Sequence, residues 1–334
     1  MYTLVASLIV FGMLVFFHEF GHFLLAKISD IKVREFSLGM GPAIFKIKFG
    51  ETDYSIRILP LGGFVKMEGE DEKTTDPRAF NNKPVLFRAA VIFAGPAMNF
   101  VLAVLLMTAI GFFAGVATTR ISVIPGEPAY YAGIKSGDAI YSIDGVRVNN
   151  WEEVVNIISR KPGKNIKVVV MRDGKYFTYN LKTAVEPETQ RGIIGIKSVV
   201  VKHSFAESIR SGAQRTFLVS KMVLYGLVQA LTGKTKADVV GPAGIVHLIG
   251  EAAKVGIFNL MYLAAIISIN LGLFNLLPIP ALDGSRLFFL GLEGLRGKPI
   301  EPEKEGLIHF IGFTLLMILM IFIFYKDIMR FNIF

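Results

Sequence analysis

The chain has 334 residues, a net charge of +9, 52% hydrophobic residues and no cysteine, which excludes disulfides, thiolate metal ligands and cysteine nucleophiles. The basic residues are scattered without a Lys/Arg block, a pattern that argues against a nucleic-acid partner and for contact with the anionic headgroups of a lipid bilayer. The mean hydropathy of +0.52 comes from a few long apolar runs, and a polar stretch of ordinary soluble composition, residues 118–200, lies between them.

About 20 apolar residues cross a bilayer, and the sequence offers four such segments, Tyr2–Ile28, Val85–Val116, Ile257–Leu277 and Leu307–Phe324. The first has no basic residue before Lys27 and runs straight into His18-Glu19, so it reads as a retained helix rather than a cleaved export signal. The second is long for one span and contains Gly95-Pro96, which predicts a kink or a break. Lys32, Arg34, Lys46, Lys48 and Lys83 lie between spans one and two with Lys27 and Arg88 at the facing span ends, and Arg286, Arg296 and Lys298 lie between three and four. Basic loops stay in the cytoplasm, which puts the intervening soluble region outside, although Lys326 and Arg330 after the last span break the pattern.

Between the first two spans, Tyr54–Lys66 alternates in part and contains Gly62-Gly63, which suggests a β-hairpin, either cytoplasmic or re-entrant. The soluble region reads as a small α+β domain. Strands are expected at Ile121–Ile124, Ala139–Ile143, Ile166–Arg172 and Tyr176–Leu181, with helices at Pro128–Ala132 and Trp151–Ser159 and a tight turn at Asp173-Gly174. Gly192–Ile196 is either a carboxylate-binding loop or a connecting strand. Phe205–Leu231 has helical periodicity with charges interspersed, and reads as a surface amphipathic helix or a fifth span.

His18-Glu19-Phe20-Gly21-His22 carries the chemistry. Residues four apart share a helix face, so both imidazoles reach one metal with Glu19 beside them as general base. Ionisable groups inside an apolar helix are costly unless they act. A catalytic zinc takes three protein ligands and keeps one position open. Asp283, between Pro278-Ile279-Pro280 and Gly284, is the acidic residue that stands alone between Glu251 and Glu293, and is the favoured third ligand. His203, His247 and His309 are placed less well, in the soluble region, before the third span and early in the fourth.

The segments FFHEFGHF, FAGPAMNF (Phe93–Phe100) and NLLPIPALDG, in this order and with the soluble insertion, resemble the site-2 protease family of intramembrane zinc metalloproteases, of the bacterial sigma-E regulator protease type. The GEPAYYAGIKSGDAIYSIDG stretch resembles a PDZ domain. The resemblance implies a polytopic α-helical protein of the bacterial inner (cytoplasmic) membrane, with about four transmembrane helices, a membrane-associated β-hairpin and an inserted α+β PDZ domain. Its domains would be residues 1–117 (first half of the membrane core), 118–200 (PDZ domain), 201–255 (amphipathic helical linker) and 256–334 (second half of the core).

It further implies Zn2+ held by His18, His22 and Asp283, with Glu19 as the catalytic residue, and an active site toward the cytoplasm. Asn275 and Pro278 match positions that handle substrate, and Tyr54–Lys66 matches a re-entrant β-loop, so Ile56, Ile58, Gly62 and Gly63 are candidate substrate contacts by strand addition. Expected substrates are single-pass membrane proteins, such as anti-sigma factors, and signal-peptide remnants. This chain departs from the pattern at Ser285, where a second glycine is common, and in having room for a single PDZ domain. The alternatives are an inactive PDZ-bearing membrane scaffold and a zinc transporter. No inverted repeat supports the latter.

Overall fold

The computed structural model describes residues 2–70, 74–234, 240–298 and 302–331. The chain divides into two units, residues 1–110 with 207–334, and residues 111–206.

In the first unit, four helices among the described residues are long and apolar enough to cross a membrane: α1 (Tyr2–Ile28), α2 (Val85–Phe113), α7 (Ile257–Leu276) and α9 (Pro302–Phe331). α2 is a single helix, and the expected break at Gly95-Pro96 is absent. Proline removes one backbone donor, a loss that packed helices absorb where the surroundings are protein. Small residues let the helix backbones approach one another. A methyl group at Gly21 of α1 would fall 2.2 Å from the Ala94 carbonyl oxygen of α2, and one at Gly95 would fall 2.2 Å from Nε2 of His22. The two helices therefore cross at the level of the HExxH turn.

Two more helices follow the insertion, α5 (Phe205–Leu231) and α6 (Pro242–Val255), and α8 (Asp283–Arg296) follows α7. α5 is not among the four helices that meet the length and apolarity of a span. α6 packs against the apolar helices. Its Ile249 and Ala253 are buried with Ala6, Val10 and Leu14 of α1, Leu102 of α2 and Ala264 of α7. Its N-terminus is closed by α9, where the buried Asp327 carboxylate accepts from the Gly241 and Gly244 amides at 3.2 and 2.9 Å.

Strands β1 (Val33–Phe49) and β2 (Thr52–Met67) turn at Gly50-Glu51. The expected hairpin within Tyr54–Lys66 is corrected: that segment is one part of β2, and the strands fold back on each other. Phe36–Leu38 faces Tyr54–Ile56 on one side and Gly63–Val65 on the other, while Phe45–Phe49 pairs with Thr52–Ile56. The outer edges are thus Phe45–Phe49 and Gly63–Met67. The turn is pinned beside the end of α1, where Glu51 accepts from Arg78 and from Lys27 (2.7 Å). Those hydrogen bonds, Arg78 first, hold its carboxyl down at about 2.

The second unit contains β3 (Val116–Val123), α3 (Pro128–Tyr131), β4 (Ala139–Ile143), β5 (Val146–Arg147), α4 (Trp151–Ser159), β6 (Asn165–Arg172), β7 (Lys175–Lys182), β8 (Ala184–Val185), β9 (Gly192–Ile193) and β10 (Ile196–Val201). The main sheet runs β10-β3-β4-β6-β7, with β6 and β7 joined by the Asp173-Gly174 turn. Alternating inward residues (Ile166, Val168, Val170) pack with Val154 and Ile158 of α4 and with Ile121, Ile140 and Ile143. Gly192–Ile196 is wired into the fold, since the Ile194 carbonyl accepts from Ala129 and the Gly195 carbonyl from Ile124.

Candidate metal centre

Helical spacing puts His18 and His22 one above the other on α1, and the start of α8 brings Asp283 to them. Nε2 of His18 lies 3.2 Å and Nε2 of His22 3.4 Å from Oδ2 of Asp283, and the two nitrogens are 3.3 Å apart. Among the described residues this is the sole group of three His, Asp or Glu side chains with ligand atoms so close together.

The triangle fits a zinc ion. Bonds of about 2.0–2.1 Å in tetrahedral geometry space the ligand atoms about 3.3–3.4 Å apart. The buried Oδ2 of Asp283 has no hydrogen-bond donor. Nδ1 of His22 is 2.9 Å from the Val91 carbonyl, which can only accept, so the proton sits on Nδ1 and Nε2 turns a lone pair inward. The lone pairs of His22 Nε2 and Asp283 Oδ2, 3.4 Å apart, repel one another unless a cation sits between them.

The elements around the triangle explain their own sequences. Pro278-Ile279-Pro280 ends α7 and turns the chain, and Ala281 takes a left-handed φ of 74° with its N–H donated to Nδ1 of His309 on α9 (3.0 Å). Gly284 is obligatory because a methyl group there would lie 2.1 Å from the Leu277 carbonyl oxygen. Outside the triangle, Arg88 of α2 makes a bidentate pair with Glu293 of α8, and Arg286 pairs with Glu70 just beyond β2.

Glu19 sits beside the triangle on α1, and β2 covers it. A methyl group at Gly63 would lie 2.9 Å from Cγ of Glu19 and 3.0 Å from Val15, so a glycine is what lets the strand reach the site. Gly62 has φ 76° against Met40. The structure separates the remaining expected contacts. Asn275 is half-buried at the end of α7, its side chain without a hydrogen bond among the described residues, and Pro278 is exposed. Ile56 is corrected as an edge residue: it pairs with both Leu38 and Phe45, which leaves it no free ladder. Ile58 is exposed between Arg57 and Leu59, which pair with Ala43 and Met40.

Sequence reasoning missed Asn99. It is fully buried on α2, with Nδ2 3.0 Å from Nδ1 of His18, Oδ1 unpartnered and its carbonyl accepting from Ser268 of α7 (2.7 Å). The signal available was an amide inside an apolar helix, in the FAGPAMNF motif.

Residues 6–319 match the family described as peptidase family M50. A candidate zinc metalloprotease of Clostridium acetobutylicum is 40% identical over 98% of this chain and 97% of its own length. The regulator of sigma-W protease RasP of Bacillus subtilis is 35% identical over 98% of each chain, and the 415 aligned positions exceed the length of this chain, so RasP carries residues that are absent here. The solved PDZ domain of an SdrC-like protein from Listeria monocytogenes matches 26% of this chain and 90% of its own at 26% identity, with a TM-score of 0.23.

Proposed function

The chain belongs to peptidase family M50, and from that premise we propose that it cleaves peptide bonds within or beside the transmembrane segments of single-pass membrane proteins, using zinc on His18, His22 and Asp283 and a proton relay on Glu19. It is a zinc metalloendopeptidase with several apolar helices of membrane-spanning length. The observation that carries the site assignment is the 3.2–3.4 Å triangle of two imidazole nitrogens and a carboxylate oxygen beside Glu19.

Zinc, when bound, polarises the scissile carbonyl and makes a neighbouring water acidic enough to ionise near neutral pH. Glu19 takes the proton of that water and returns it to the leaving amine. A helical substrate has no free amides, so it must unwind. The Gly63–Met67 edge of β2, which starts against Glu19, offers backbone partners to an extended segment, and Asn275 offers an unbonded amide. Substrates of the anti-sigma type are supported by the sigma-W role in the name of the Bacillus relative. The basic loops support an active site on the cytoplasmic side of a bacterial inner membrane, with residues 118–200 outside as a PDZ-type gate.

In detergent, the zinc-loaded chain should cut a single-pass membrane substrate, a chelator should stop it, and Glu19→Gln should keep zinc and lose cleavage. Cleavage by Glu19→Gln would remove Glu19 from the mechanism. Zinc flux across vesicles without any cleavage would favour the transporter. The cysteine-free sequence allows a clean check on the docking edge. A single cysteine at Lys66 should form a disulfide with a cysteine-bearing substrate, and one at Ile47, on the opposite edge, should not.

A further inference from the structure

Among the described residues, Asn99 is the polar side chain of α2 that touches the metal triangle, and it faces His18 the wrong way round for a metal-bound ring. With the donor Nδ2 at 3.0 Å, Nδ1 of His18 must accept, which leaves the proton on Nε2, on the side of the ring that faces the triangle. That tautomer has no lone pair to give an ion. Its neighbour His22 already has the other tautomer, fixed by the Val91 carbonyl one turn before Gly95.

A half-turn of the Asn99 amide about Cβ–Cγ exchanges Nδ2 with Oδ1, which is fully buried and has no hydrogen-bond partner. We infer that in the zinc-loaded protein Asn99 presents Oδ1 to Nδ1–H of His18, and so acts as a positioning residue that sets the tautomer of this ligand. The inference rests on the zinc site proposed above. Both histidines are then oriented by α2, one by a main-chain carbonyl and one by a side-chain carbonyl, across the Gly21/Gly95 crossing. Partners of this kind in zinc proteins change metal affinity about 10–100-fold when removed. The Ser268 bond goes to the Asn99 main chain, so replacing the side chain leaves the tie between α2 and α7 in place.

The test is zinc affinity in the full-length, detergent-solubilised protein, by competition with a chelator, with 15N-histidine NMR as the second readout. Asn99→Leu should weaken zinc about 10–100-fold. Asn99→Asp, which can accept but not donate, should hold zinc at least as tightly as the unsubstituted protein. In the unsubstituted protein both metal-bound rings should carry their proton on Nδ1. A folded Asn99→Leu protein with undiminished affinity overturns the inference. So does a bound ring protonated on Nε2, a result that stands even where the leucine variant does not fold. An unsubstituted protein that binds no zinc overturns the site itself, and the inference with it.

Discussion

Two aspartates, one buried and one partly exposed, show how differently the two units use a carboxylate. Asp138, 1% exposed in the inserted unit, has both oxygens engaged: Arg172 donates at 2.6 and 2.8 Å and the Lys135 amide at 2.9 Å. Asp283 in the membrane unit is also largely enclosed, yet its Oδ2 lies beside two imidazole nitrogens and accepts no hydrogen bond. A buried group that is fully paired holds a fold together, whereas lone pairs that converge unpaired are kept for a ligand. The contrast puts the candidate metal ligand in one unit and a carboxylate that only ties strands together in the other.

The largest effect that can break this contrast lies at Glu19. Positioned general acid–base groups contribute about 10²–10⁴ in rate, so Glu19→Gln should lower cleavage by that factor with zinc content unchanged. Asp283→Asn should differ from it by losing zinc as well. Equal zinc content in the two variants would mean that Asp283 is no ligand. Next comes Gly95→Ala. Its methyl group would stand 2.2 Å from Nε2 of His22, so zinc affinity should fall at least about tenfold although the substitution adds a single carbon and ordinarily favours a helix. Affinity equal to that of the parent protein would show that the α1–α2 crossing is looser than the structure has it.

Much of this site was legible before any coordinates, for physical reasons that differ by residue. His18 and His22 could be paired because helical periodicity alone puts residues four apart on one face. Asp283 could be paired with them because a charge beside a broken apolar helix is costly. In the inserted unit, Ala139–Ile143 and Trp151–Ser159 have the expected limits, since alternation and a capping asparagine are local signals. β1 was missed: Gly39, Gly41 and Pro42 interrupt its alternation, and its second half is exposed on both faces, so no burial pattern marks it. The fold-back register, which takes Ile56 off the edge, depends on the meeting of segments some 20 residues apart. Asn99 was missed because its meaning lies in what faces it, a ring 81 positions away in sequence.

Arg172 tests the supporting side of the comparison. Burial pushes the Asp138 carboxyl up, but the Arg172 hydrogen bonds and the Lys135 amide more than reverse this, and hold it below the usual carboxylate range. A depressed folded value means stabilisation that is complete above the unfolded value of about 3.9 and is lost as pH falls through the folded one. Amide exchange in residues 111–206 of the full chain, taken relative to the intrinsic rate at each pH, should therefore quicken on acidification below about pH 4. Arg172→Met should quicken it at neutral pH and remove that acid dependence, with zinc content unaffected. Loss of zinc in this variant would tie the inserted unit to the metal site and end the division of labour.

The smallest expected effect comes from Asn150, the N-cap of α4. Its side-chain oxygen accepts from the Glu153 amide at 2.9 Å, one of the donors that open the helix, while the Glu153 carboxylate reaches back to the Asn149 amide just before the cap at 2.8 Å. Replacing such a cap by alanine costs about 1 kcal/mol. The loss should fall on α4, whose Val154 and Ile158 sit in the core of the inserted unit, and it should appear as roughly fivefold faster exchange in Trp151–Ser159. Asn150→Asp, an equally good cap, should restore protection, whereas Asn150→Gly should cost about a few tenths of a kcal/mol. Zinc affinity and cleavage of a short, pre-trimmed substrate should match the parent protein in all three variants. Asn150 and Asn99 are both amides that hydrogen-bond a neighbouring group, so the pair separates stability from metal binding within one residue type: alanine in place of Asn150 is read in exchange rates alone, and leucine in place of Asn99 in zinc affinity.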